Sequence, residues 1–233
     1  MRHQSALGTS QHEAASVTVH DAGAGPEQGP APAAATGAGE LWLLRHGETE
    51  WSRTHRHTGR TDVPLTERGE AQAAALAGML AGLRPALVVT SPRQRAIRTA
   101  ELAGLVPYKV DDDLSEWDYG AYEGLTTEEI QRTSPNWTIW SDDPPGGETA
   151  VAVRTRVDRV LRRLRVVLTA GPVVVVAHGH LGRVRTARWL GLGVAGGQYF
   201  ILGPASPCVL GAEHGLPAVR RWNLPNAAEA ELT

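Results

Sequence analysis

The sequence predicts an α/β domain whose mostly parallel sheet is covered on both faces by helices. The first observation is a set of short runs that are apolar almost throughout: "LWLLR" at 41–45, "ALVVTS" at 86–91 and "PVVVVA" at 172–177. Strands without polar alternation belong in sheets buried on both faces. The second is that these runs alternate with helix-patterned stretches, the order that builds parallel sheets through crossover connections. The third is that Arg45–His46, Ser91 and His178–Gly179 all stand at the carboxyl ends of those runs. Ligands in such sheets bind along that rim.

The elements follow in order. Residues 1–39 are Ala, Gly and Pro with almost no large apolar side chain, which cannot bury enough surface to offset ordering entropy; a disordered tail is expected. The domain is expected over 40–225, with a short C-terminal tail at 226–233. "LWLLR" is its first strand, stopped by Gly47. "LTERGEAQAAALAGMLAGL" from Leu65 is a helix with Thr66 as cap and Glu70 in its first turns. "ALVVTS" is the second strand, and "RQRAIRTAELAGL" the helix behind it, with Pro92 suited to its start. "YKVDDDLSEW" carries a weaker third strand, and "LTTEEIQRT" a short helix. "GETAVAVRTRVDRVLRRLRVVLTA" is a long helix, apolar on one stripe and arginine-rich on the other. "PVVVVAHG" is a fourth strand and "LGRVRTARWLGL" the helix after it. "ASPCVLGAEHGLPAVRRWN" reads as two strands around a turn at 213–215.

Composition limits the partners. With 233 residues, 42% hydrophobic and a formal charge of −2, the chain has no general attraction for nucleic acid or anionic lipid. No apolar run is long enough to span a bilayer. The N-terminus lacks the charged-then-apolar order of a signal peptide, and the single cysteine, Cys208, permits a reducing compartment. A cytoplasmic setting is expected.

The candidate chemistry lies on the rim. Arg45–His46 alone is a weak signal. Three features strengthen it: Arg95 in the first turns of a helix at a second strand end, Glu116 in the aromatic loop "LSEWDYGAYEG", and His178 at a third strand end. Arginine offers planar bidentate donors that match phosphate oxygens. A neutral histidine nitrogen is a competent nucleophile. A second histidine, if protonated, stabilises charge on the equatorial oxygens. A carboxyl group can protonate a leaving oxygen and then take a proton from water. Two arginines, two histidines and a carboxylate therefore suit phosphoryl transfer through a phosphohistidine, with no metal or other cofactor.

The motifs "LLRHGETEWS", "TGRTDVPLTERG", "TSPRQRAIRTA", "LSEWDYGAYEGLT", "GGET" and "VVAHGH" occur in the order found in the histidine phosphatase superfamily, the phosphoglycerate-mutase-like group, which this sequence resembles from Leu41 to beyond His180. The resemblance implies a three-layer α/β/α sandwich with His46 as nucleophile. It implies that Arg45, Arg95 and His178 hold the phosphoryl group and that Glu116 is the proton donor. It places Ser52, Thr58 and Gly59 at the substrate pocket, where Tyr119 and Gly179 are also expected. Cofactor-dependent phosphoglycerate mutases carry a longer, basic insertion after the acidic residue. Here "YEGLTTEEIQRTSPNWTIWSDDPPGGET" is short, acidic and free of lysine, so the expected activity is a phosphomonoesterase of acid or sugar-phosphate phosphatase type acting on a small phosphorylated metabolite, with mutase as the alternative.

The remaining signals read as structure. His180 suits a pocket mouth or a helix start equally. His55, His57 and His214 lie outside these motifs, and "RTHRHTG" is a thin metal candidate, so no metal is expected. "DDD" at 111–113 reads as a solvated loop, and the arginines from 154 to 165 as a solvated helix face. Trp51, Trp117, Tyr119, Tyr122, Trp137 and Trp140 divide between core and pocket wall.

Overall fold

A computed structural model describes residues 39–226 and Ala228; the expected tails otherwise lie outside the described residues. The sheet has the strands β1 (Leu41–Arg45), β2 (Leu87–Thr90), β3 (Lys109–Val110), β4 (Val173–Ala177), β5 (Cys208–Glu213) and β6 (Leu216–Arg221). Their order is β3-β2-β4-β1-β5-β6. The first four are parallel to one another, and β5 and β6 add an antiparallel edge. The helices are α1 (Glu50–Arg53), α2 (Glu67–Leu80), α3 (Gln94–Leu102), α4 (Thr127–Gln131), α5 (Ala150–Val167) and α6 (Gly179–Trp189).

Strand alternation assigns each apolar residue to one layer. Trp42, Leu44, Val174 and Val176 face one side and pack with Leu76 and Leu80 of α2 and Ala96 and Ala100 of α3. Leu41, Leu43, Val173 and Val175 face the other and pack with Val153, Val157 and Leu161 of α5 and Leu181 and Val184 of α6. The result is the three-layer α/β/α sandwich that the sequence implied. Runs apolar throughout are explained because both faces are buried.

Local chemistry sets the helix starts. Thr66 accepts from Gly69 N and caps α2, as expected. Thr126 and Glu129 form a reciprocal capping box on α4. Arg93, not Pro92, is the N-cap of α3, without a side-chain cap bond. Among the described residues, four short elements escaped the sequence reading: α1, one turn held by its own Thr49–Ser52 capping box, and the 3-10 turns Asp112–Leu114, Gly120–Tyr122 and Val194–Tyr199. Asn226, assigned by sequence to the C-terminal tail, is buried and donates to the carbonyls of Gln72 and Ala205, so packing extends one residue past the expected boundary.

Candidate active site

The parallel register carries the chemistry to one level. Arg45 lies opposite Ala177 across β1 and β4. The ladder continues past both strand ends: His46 N donates to Ala177 O at 3.0 Å and Ser91 N to Val176 O at 3.0 Å. His46, Ser91 and His178 therefore share the rim. The rings of His46 and His178 stand 5.3 Å apart, edge to face.

His46 is buried, and its Nδ1 lies 2.7 Å from the carbonyl of Gly47. A carbonyl can only accept, so Nδ1 carries the proton and Nε2 keeps its lone pair. Burial first, then the charges of Arg95 and Arg45, hold its pKa well below the ordinary histidine value. Gly47 is itself fixed, its N donating to Thr99 Oγ1. A Cβ on Gly47 would collide with the carbonyl of Gly69, so the turn after His46 needs glycine.

Arg95 is fully buried at the second position of α3, a helix end that disfavours a cation. Its guanidinium donates to the carbonyls of Thr58, Gly59 and Thr61 and so fastens that loop beside the rim. Arg45 donates through Nη1 to Leu202 O at 2.8 Å, while its buried Nε takes no protein partner. His178 Nε2 lies 2.7 Å from Ser91 Oγ, and its buried Nδ1 likewise takes none. The sequence reading supposed a protonated His178. Burial, Arg95 and His46 instead push its pKa well below the usual value, which favours the neutral ring.

Glu116 is buried. The aromatic flank suggested ring faces around it; the carboxylate instead meets amide hydrogens. Oε1 accepts from Trp117 N and Leu181 N, and Oε2 from His180 N. The first turn of α6 thus spends two otherwise unpaired N–H groups on this side chain. The loop is stapled from below by Arg156 of α5, which donates to the carbonyls of Asp113, Ser115 and Glu116 and pairs with Glu148 at 2.7 Å. Arg156 thus departs from the expected solvated face of α5, whereas Arg159, Arg162 and Arg163 are exposed as expected. Arg159 and Arg163 also pair with Asp113, so "DDD" is tied down rather than loose.

A cleft of about 380 Å³ opens at the rim, a size suited to a small ligand. Arg45, His46, Glu116, Ser52, Thr58, Tyr119 and Gly179 line it. Arg95 and His178 are not on its wall; both are buried beside His46. Gly59 is not on the wall either. It packs against Trp117 O and Tyr119, and its N donates to Glu123. Ser52 faces the cleft, but its hydroxyl is engaged with the backbone of Thr49. The sequence reading missed His57 and Arg183 as wall residues, left His180 undecided, and had Trp140 as either core or wall; it lines the cleft. His57 lies one residue before the "TGRT" motif, and Arg183 within the turn after His178, which were the available signals. Among the described residues no group of three His, Cys, Asp or Glu could hold a metal ion, and no helix is long and apolar enough to cross a membrane.

A doubly covered parallel sheet that presents an arginine, a buried neutral histidine and a carboxylate at its carboxyl rim defines an enzyme built for phosphoryl chemistry. The chain belongs to the histidine phosphatase superfamily, branch 1, whose family model matches residues 41–225. It is 44% identical over 179 residues to an acid phosphatase of Mycobacterium tuberculosis, spanning 76% of this chain and 88% of that protein. It is 36% identical over 183 residues to the sedoheptulose 1,7-bisphosphatase of Saccharomyces cerevisiae, spanning 65% of this chain and 68% of that protein. The solved structure of an open reading frame product from Mycobacterium tuberculosis superposes with a TM-score of 0.79 at 40% identity, covering 81% of this chain and 99% of the other. These relatives support a hydrolase of phosphomonoesters rather than a mutase, in line with the short acidic stretch after Tyr122.

Proposed function

We propose that the chain hydrolyses small phosphorylated metabolites, sugar phosphates among them, without a metal and through a phosphohistidine on His46. The observation that carries this is the fixed tautomer of His46, with Nδ1 spent on Gly47 O and Nε2 left as the nucleophile. Nε2 attacks phosphorus; the P–O bond to the leaving group breaks; Glu116 gives its proton to the departing oxygen. Water then attacks the phosphohistidine, Glu116 takes a proton from it, and inorganic phosphate leaves. Oε2 of Glu116 accepts one backbone bond, which leaves it a lone pair for that proton.

Charge stabilisation comes from side chains that a phosphoryl group would complete. The unpartnered Nε of Arg45 and Nδ1 of His178 are donors in want of an acceptor once Ser91 donates to His178 Nε2. Arg95 adds a buried positive charge next to both histidines. Burial first and the nearby positive charges second hold His178 neutral; a dianionic phosphoryl group offsets the second, so binding favours its protonation. Two arginines and an imidazolium supply what a metal ion would otherwise supply, which is the reason to expect none. The single cysteine, Cys208, is buried and free, and the reading keeps the cytoplasm as the setting. The test is turnover of a phosphomonoester panel after exhaustive chelation. Full phosphate release is expected; loss of activity that Mg²⁺ or Zn²⁺ restores would overturn the metal-free reading.

A further inference from the structure

We propose that His180, oriented by Tyr119, selects the leaving group by donating a hydrogen bond from its Nε2 to a hydroxyl of a polyhydroxylated phosphate ester. This rests on the phosphatase reading and concerns a cleft-wall residue outside the group assigned to the phosphoryl oxygens.

Tyr119 Oη lies 2.6 Å from His180 Nδ1. Tyr119 is buried, and among the described residues its hydroxyl has no other acceptor within hydrogen-bond reach, so its proton is assigned to His180 Nδ1. Burial, with Glu116 and Glu123 nearby, keeps the phenol protonated. With Nδ1 accepting, the imidazole proton sits on Nε2. That nitrogen has no protein partner among the described residues, and His180 lines the cleft. The backbone is fixed too, because His180 N donates to Glu116 Oε2. One carboxylate oxygen thus sets the distance between the proton donor for the leaving oxygen and the donor for a neighbouring hydroxyl.

The surroundings match a sugar rather than a second charge at this point. The ring of His57 lies 4.7 Å from Tyr119 and stacks on His180 at 5.8 Å, and Trp140 meets His180 edge-on at 5.2 Å. Aromatic faces pack well against the C–H faces of a pyranose or furanose. The charged groups nearby do not change this. Arg183 is held over Trp140 and donates to Gly197 O and Gln198 O, Arg56 pairs with Glu129, and Arg45 points its Nη1 at Leu202 O. His57 and His180 are both held below the ordinary histidine pKa, chiefly by burial, so each is an uncharged donor near neutrality.

The test compares a hexose 6-phosphate with n-hexyl phosphate, whose leaving group has similar basicity and no hydroxyls. His180→Ala is expected to lower kcat/KM about three- to tenfold on the sugar phosphate, mainly through KM, and less than about twofold on the alkyl phosphate, as one hydrogen bond to a neutral group would. Tyr119→Phe, which frees the imidazole without removing it, is expected to act in the same direction and less strongly. His180→Gln, which restores a donor, should recover part of the loss. Equal losses on both substrates in His180→Ala and Tyr119→Phe would overturn the proposal while leaving the phosphatase reading intact. A wild-type protein that hydrolyses neither ester would instead remove the phosphatase reading beneath it.

Discussion

In the proposed mechanism His46 and Glu116 divide the chemistry at the residue scale, and their surroundings differ in kind. His46 is kept neutral by burial and two arginines, so its nucleophilicity persists on the acid side of pH 6.5. The expected pH dependence of kcat/KM therefore shows no loss from nucleophile protonation at pH 6.5, and a steep fall centred there would contradict it. Glu116 matters most when the leaving oxygen is basic. An alkoxide needs the proton, whereas nitrophenolate leaves without it. Glu116→Gln is expected to cost about 10²- to 10⁴-fold on a sugar phosphate and far less on p-nitrophenyl phosphate in single-turnover measurements. Equal losses would mean that Glu116 only holds the start of α6 in place, and His178 would become the acid to test. Their place on the cleft wall was legible in the sequence because each sits in a local signal, a strand end or an aromatic loop. Tyr119–His180, by contrast, joins positions 61 residues apart, and no local pattern reports such a contact.

Helix by helix, the sequence was most informative where the pattern was local. Val153, Val157, Val160, Leu161 and Leu164 mark the buried stripe of α5 at helical spacing, and the strands are apolar because both faces are covered. It was least informative where a charged residue borders such a stripe. Arg156 reads like its solvated neighbours but is partly buried against Glu148 and the Glu116 loop, to which it makes five hydrogen bonds. Arg156→Ala is therefore expected to lower the melting temperature and kcat together, since the Glu116 loop loses its staple. A variant with wild-type stability and kcat would refute that role. Arg185 on α6 is the opposite case. It is buried, its Nε and Nη2 have no hydrogen-bond partner among the described residues, and burial, with Arg156, pushes its pKa to about 10 against the weaker pull of Glu116 and Asp111. A buried charge without a partner is a net cost. Arg185→Met is expected to stabilise the fold by about 1–4 kcal/mol, read as a raised melting temperature. A lowered melting temperature would show that Arg185 has a favourable role.

For the whole molecule, the site's neutral histidines tie stability to pH. His46, His57, His178 and His180 all have folded-state pKa values below 6.5, His57 about 4. The unfolded chain binds more protons below that pH, so stability is full above about 6.5 and is lost as pH falls towards the folded values. Thermal melts between pH 7 and 4 should show a falling melting temperature, and a rising one would contradict the assignment of neutral buried histidines. An enzyme working in acid would thus hold its nucleophile ready at the expense of the fold. The architecture itself was readable as a class, because strand runs and helix stretches alternate, and so was the β5–β6 hairpin; the antiparallel docking of β5 on β1 and the full extent of the cleft depend on how distant segments meet. The central claim is that all of this serves one covalent step on His46. It is tested most directly by rapid acid-free quenching of the enzyme with a ³²P-labelled phosphomonoester, followed by peptide mapping. The account predicts one acid-labile phosphohistidine, at His46, absent from His46→Ala, which should fold normally and turn over no substrate. Label on His178, or undiminished turnover by His46→Ala, would contradict it.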